Sequence, residues 1–221
     1  MHKVAFKLVR SRRRTIALSV STDQEVTVRA PLRMPKLFIE EFVEEKQEWL
    51  RRTLEYMASR PKAPKKTFAD GEPFLYMGNP YPLSIVPGRG LRLEERGFML
   101  GAESRSRAKE AFAAWYREEA RRELTVLTEQ YAKMFKHRYR RIRITGARHR
   151  WGSCSVRGNI NFAWRLIMAP RFVCEYVVAH ELAHLRHHNH GAAFWNEVQR
   201  MFSRTDEARA WLKDHSRFMT L

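Results

Sequence analysis

The sequence predicts an α+β fold, divided near residue 101 into a β-rich N-terminal region with one helix (1–101) and a mixed C-terminal region (102–221). Three observations predict it. Short alternating runs rich in β-branched residues crowd the first third. A helical period of apolar residues spans 103–136. Last, a strand hairpin near 150–166 precedes an apolar helical run ending in HELAHLRHHNHGAAFW (180–195). Runs of strands followed by runs of helices point to α+β rather than to a doubly wound sheet.

In order, VAFKLVR, TIALSV and EVTVRAP read as strands. Residues 36–57 read as one helix, with Phe38, Phe42, Trp49, Leu50, Leu54 and Met57 at helical spacing. Acidic residues early (Glu40 to Glu45) and Arg51 and Arg52 late suit its dipole. RPKAPKK reads as a linker or exposed loop. Two or three strands follow between Asp70 and Gly101, with turns expected at Gly78-Asn79-Pro80 and Pro87-Gly88-Arg89-Gly90. The helix over 103–136 carries Phe112, Trp115, Tyr116, Leu124, Leu127, Tyr131 and Phe135. RRIRITGA reads as a strand, and RWGSCSVRGNINFAWRL as a hairpin turning at Arg157-Gly158. Pro170 opens a helix expected over 171–188. Another helix begins near Ala192 and includes Phe194, Trp195, Val198 and Phe202.

A chain of 221 residues, 44% hydrophobic, has enough apolar surface for a packed core. Its 42 Lys and Arg against 24 Asp and Glu leave a net charge of +18, which attracts anions: nucleic acid, nucleotides or acidic lipid. Cys154 and Cys174 form no CxxC pair, so a thiolate metal site is disfavoured, and two thiols fit a reducing compartment. The basic N-terminus alternates apolar and polar residues, unlike a signal peptide. No window approaches the ~20 apolar residues of a membrane span. A cytoplasmic protein without a membrane partner is expected, and its oligomeric state is left open.

His180 and His184 stand four apart, so a helix places both imidazoles on one face, one turn apart. That geometry suits one zinc, and Glu181 beside them completes H-E-x-x-H with a carboxylate free to act as general base. A third ligand is needed. His188 lies about 12 Å further along a straight helix than His180, too far to share the ion. Asn189 and Gly191 tolerate left-handed backbone and mark a helix end. A reversal there brings His190 to the metal. Glu197 and Glu207 are the alternative third ligands. Histidine-rich solvated helices also occur, but the preceding FVCEYVVA is apolar enough to be buried, where an unpaired Glu181 is costly.

RWGSCS (150–155), GNINFAWRLIMAP (158–170) and YVVAHELAHLRHHNHGAAFW (176–195) resemble the YgjP-like metallopeptidase family, related to zincin peptidases and to SprT-like and WLM domains. The N-terminal RRRTIALSVSTDQEVTVRAP and GEPFLYMGNPYPL resemble it too, so the likeness spans nearly the whole chain. Ala163 and Gly191 depart from the pattern, which more often has Asn and Ser there. The resemblance implies a zincin-like catalytic domain, one Zn2+ per chain on His180, His184 and His190, and Glu181 as the catalytic base.

An oxyanion needs a second positive or hydrogen-bonding group. Arg165, at the end of the hairpin, and Tyr176, one turn before His180, are the candidates. Trp151, Ser153 and Asn161 on the hairpin are the candidates for substrate binding; Trp151 also reads, with Trp164, Phe194 and Trp195, as packing around the site. Cys154 reads as a small core residue. The leading expectation is a peptidase whose hairpin edge takes an extended peptide by strand addition. A nucleoside triphosphate hydrolase, with arginines from RSRRR, HRYRRIR or RHR clamping phosphates, is the second. A non-catalytic nucleic-acid binder with a structural zinc is the third, and leaves Glu181 without a role.

Overall fold

The computed structural model describes residues 5–21, 24–59 and 65–221. The α+β class is observed. The chain forms two compact units, Met1–Ala63 and Pro64–Leu221. The boundary expected near 101 therefore falls inside the second unit. The strands after residue 70 belong with the C-terminal helices because Phe74, Leu83, Phe98 and Leu100 are buried in one core with Phe112 and Tyr116. Alternation locates a strand but is silent about which core it covers. Most of the expected linker at 60–66 lies outside the described residues.

In the first unit, strands β1 (Lys7–Ser11), β2 (Ala17–Val20) and β3 (Val26–Pro31) form a sheet with β3 central, parallel to β1 and antiparallel to β2. Alternation along β3 turns Val26, Val28 and Ala30 inward against Ile39, Val43 and Leu50. The single helix expected over 36–57 is two, α1 (Lys36–Glu45) and α2 (Gln47–Ala58). Lys46 breaks it with a bridge-region backbone, φ −97° and ψ 8°. The buried face of α1 runs through Ile39 and Val43 and leaves Phe38 exposed, and in α2 Leu50 is buried while Trp49 is exposed.

The second unit opens with β4 (Pro73–Tyr76), β5 (Asn79–Val86), β6 (Leu91–Glu94) and β7 (Gly97–Gly101), in spatial order β4-β5-β7-β6. The β4–β5 turn sits at Met77 and Gly78, one residue earlier than expected, with φ of 48° and 85°. Two successive positive φ angles suit a two-residue hairpin. The N–H groups of Met77 and Gly78 donate to Ile167 O and Met168 O at 2.9 and 3.1 Å. A Cβ at Gly78 would lie 2.7 Å from Pro170 Cγ, so only glycine allows this hairpin tip to brace the chain entering the histidine helix.

A 3-10 turn (Ala102–Arg107) leads into α3 (Ala108–Phe135), whose buried positions fall almost every fourth residue from Ala108 to Ala132. Next come β8 (Arg141–Thr145), β9 (Gly152–Cys154) and β10 (Asn159–Ala163), in order β8-β10-β9, with β8 parallel and β9 antiparallel to β10. The expected hairpin is present, with Gly158 at φ 72° in its turn. A 3-10 segment (Trp164–Met168) then leads to α4 (Arg171–Ala183), α5 (Ala192–Met201) and α6 (Thr205–His215). Helix α6 was not legible in the sequence, because only Thr205 and Ala208 of it are buried. Among the described residues no helix is long and apolar enough to cross a membrane.

Candidate metal centre

Helix α4 carries the chemistry because nearly all of it is buried. Val173, Cys174, Val177, Val178, Ala179, Leu182 and Ala183 pack into the second unit's core. The helix ends at Ala183, five residues before the expected end at 188. The chain tightens as the N–H groups of Leu185 and Arg186 donate to carbonyls three residues back, Leu182 O and Ala183 O. His184 Nδ1 donates to His187 O at 3.0 Å. A carbonyl can only accept, so this bond fixes the proton on Nδ1 and leaves the Nε2 lone pair free. The reversal to α5 needs no left-handed residue: Gly191 is extended, at φ −75° and ψ −178°, and Asn189 has no positive φ.

The reversal brings His190 back onto α4. Ligand-capable nitrogens of His180, His184 and His190 all lie within 4.8 Å of one another, and the Nε2 atoms of His180 and His190 are 3.2 Å apart. Two nitrogens sharing one tetrahedral zinc at ~2.0–2.1 Å stand about 3.3 Å apart, so this pair fits the ion. Phe194 is fully buried beneath all three rings, its centroid 4.9, 4.5 and 4.7 Å from those of His180, His184 and His190. Burial, with His184 and His190 alongside, lowers the His180 pKa to about 3. Burial also lowers that of His184, against the opposing pull of the His187 carbonyl. Both imidazoles are therefore neutral at pH 7, as ligation requires.

Glu181 is 4% exposed, and its Oε2 is buried without a hydrogen-bond partner among the described residues. Burial pushes its carboxyl up to about 8, while Arg150 nearby pulls the other way. Burial alone would keep this group protonated near neutral pH, and a cation held by the adjacent imidazoles would draw that proton off, so the orphaned oxygen fits a site built for a cation. Strand β9 holds the carboxylate in place: a Cβ on Gly152 would come within 2.6 Å of Glu181 Cγ. Gly152→Ala is expected to displace Glu181 and lower any Glu181-dependent turnover at least about tenfold. Metal content should stay unchanged, as steady-state kinetics beside elemental analysis would show.

The YgjP-like, metallopeptidase domain matches residues 14–215. The chain belongs to the YgjP-like family. No curated protein matches this member of the family. Among solved structures, the crystal structure of the metallopeptidase zymogen of Pyrococcus abyssi abylysin is similar at 24% identity, covering 41% of this YgjP-like chain and 93% of that chain, with a TM-score of 0.37.

The remaining expected site residues of this YgjP-like domain divide. Tyr176 borders the centre, 7% exposed and 5.9 Å ring to ring from His180. Burial raises the pKa of its hydroxyl. Arg165 is held elsewhere: its guanidinium lies 4.1 Å over the Trp164 ring and donates to Gly146 O at 3.4 Å. Trp151 packs against the core, and its carbonyl accepts from Ala163 N at 2.8 Å. Ser153 and Asn161 are cross-strand partners, with Asn161 Nδ2 donating to Ser153 Oγ at 3.2 Å. Strand alternation turns them to the face opposite Gly152, away from Glu181. Cys154 keeps its proton, its thiol pushed up to about 11 by burial and by Glu181.

The alternative third ligands are engaged otherwise. Glu207 pairs with Arg204. Glu197 is buried and faces Arg200 at 2.9 Å, Arg186 at 3.0 Å and His137 at 2.9 Å. Hydrogen bonding to Arg200 is the main cause that holds the Glu197 carboxyl below its ordinary value. The native state therefore binds this proton more weakly than the unfolded chain. The resulting stability is present above about pH 4.3 and lost as pH falls below it. In Glu197→Gln that contribution should vanish, and acid titrations followed by circular dichroism should show a shallower loss of stability.

Arg209 escaped the sequence reading. It lies 5.1 Å over Trp195, whose ring is 5.9 Å from His180 and 5.8 Å from His190. Its signal was weak because α6 has so narrow a buried stripe.

Proposed function

We propose that the chain is a zinc-dependent peptidase, with His180, His184 and His190 holding one zinc and Glu181 as general base. One observation carries this reading: three imidazoles converge beside a buried carboxyl group with an unpartnered oxygen. A zinc ion there supplies a Lewis acid that acidifies water and polarises a carbonyl. Glu181 takes the proton from the attacking water on a carboxylate oxygen, and the same oxygen returns it to the leaving amine. Gly152 and the walls of α4 keep that oxygen in one position, and burial excludes competing solvent. Tyr176, its ring 5.9 Å from that of His180, would be the donor to the developing oxyanion. Strand β9 is an outer strand of its sheet and touches Glu181 through Gly152, which favours an extended peptide added along β9.

The test is cleavage of a fluorogenic peptide library by zinc-loaded protein. Activity should disappear with a chelator and return with zinc. A library left intact by protein carrying one zinc per chain would remove the reading. Arg150 beside Glu181 and Arg209 beside His180 favour a second reading, hydrolysis of a nucleoside triphosphate. A triphosphate panel separates the two. The third expectation, a structural zinc in a non-catalytic nucleic-acid binder, has no use for the costly burial of Glu181.

A further inference from the structure

Ahead of the histidine helix's HELAH run, the chain from 130 to 174 contains no Asp or Glu. Much of this stretch folds as β8 and the β9–β10 hairpin. Two cavities adjoin there. One, of about 370 Å³, is lined by Arg138, Tyr139, Arg140, the hairpin turn 155–158 and Leu185. The other, of about 530 Å³, is lined by Arg121, Thr125, Tyr139 and β8 residues 142–145. Tyr139 lines both, so they form one groove. It runs from the hairpin turn along β8, an outer strand of its sheet.

Four arginines of this groove, Arg138, Arg140, Arg143 and Arg157, are exposed and have no carboxylate partner among the described residues, whereas Arg121 pairs with Glu118 and Arg186 with Glu197. Their positions are set by backbone. Arg140 N donates to Gly158 O at 2.8 Å, which holds Arg140 beside Arg157 at the turn. Guarding a sheet edge against aggregation takes only a few charges and no cavity. Guanidinium forks without carboxylate partners match phosphate oxygens, and an aromatic ring between them offers a face for a base.

We propose that this groove binds single-stranded nucleic acid, with Arg138, Arg140, Arg143 and Arg157 on phosphates and Tyr139 stacked on a base. The surface is built from residues other than the histidine cluster, so it stands whether or not the peptidase reading does.

The test is fluorescence anisotropy of labelled oligothymidylate and oligouridylate with the zinc-loaded full chain across a salt series. For single strands, four phosphate contacts give a slope of log affinity on log salt of about −3. The combined variant Arg138→Ala, Arg140→Ala, Arg143→Ala and Arg157→Ala should flatten that slope and weaken binding at least tenfold. Tyr139→Ala should weaken binding about tenfold with the slope unchanged. A control variant removes four arginines that pair with carboxylates elsewhere: Arg51→Ala, Arg52→Ala, Arg92→Ala and Arg204→Ala. It should bind nearly as well as the parent. Should the combined variant misfold, the single exposed change Arg157→Glu carries the same expectation in smaller measure. Equal loss in the control variant, equal affinity for a duplex, or tighter binding of polyglutamate than of either oligonucleotide would each overturn the proposal. Metal content and peptide cleavage of the groove variant are read in parallel. Their retention alongside lost oligonucleotide binding separates this surface from the metal centre.

Discussion

Glu181→Gln is expected to lower kcat by about 10²–10⁴-fold with zinc content unchanged, the range over which a positioned acid–base group acts. The reason lies in the division of labour along α4. In the proposed site His180 and His184 would present nitrogens to the metal, while Glu181 lies against Gly152 of β9 with one oxygen unpartnered. Glutamine has the same shape, so it fills the same space against the strand and leaves the three imidazoles undisturbed. It lacks only a site that can accept a proton and return it. KM should change little, because a transition-state group contributes little to ground-state binding. Elemental analysis and steady-state kinetics on one preparation decide the matter. A variant that keeps its zinc and its full rate would take Glu181 out of the mechanism. A variant that loses both would make Glu181 a determinant of metal binding instead.

The histidine cluster was legible because helical spacing is a strong constraint: His180 and His184 share a face, and the rise of a helix excludes His188. Placing His190 required a reversal, and Asn189 and Gly191 marked its place, although the backbone turns there without any left-handed residue. The early end of α4 was not legible. It rests on His184 Nδ1 capturing the His187 carbonyl, a local bond that competes with further helix. Gly152 stands within RWGSCS, but its meaning depends on the distance to a carboxyl group 29 residues later, which no periodicity encodes. Ser153 and Asn161 illustrate the converse. Their place in the hairpin was right, and the face they occupy followed only once the register with Gly152 was known. The division near residue 101 failed for a similar reason, since Phe74 and Phe98 join their core by stacking on and tilting against Phe112 of α3.

Phe194→Ala should be among the most damaging single changes to this centre, costing about 3–5 kcal/mol of stability, the usual range for emptying a buried phenylalanine site. The side chain is fully buried, and its surroundings are α4 and the three imidazoles, which have little room to collapse without leaving the metal geometry. Truncation therefore acts twice. It opens a cavity under α4, and it frees three rings that Phe194 holds in one arrangement. Immobilising a side chain again on binding costs ~0.5–1.5 kcal/mol, so zinc affinity should fall at least about tenfold even where the variant remains folded. Phe194→Leu fills most of the volume and should cost less than about 2 kcal/mol, with metal affinity nearly retained. Urea titrations of the metal-free proteins give the packing cost, and competition with a chromogenic chelator gives the affinity. Loss of stability without loss of affinity would mean that the imidazoles are aligned by their own backbone, at the end of α4 and the start of α5, rather than by the ring beneath them.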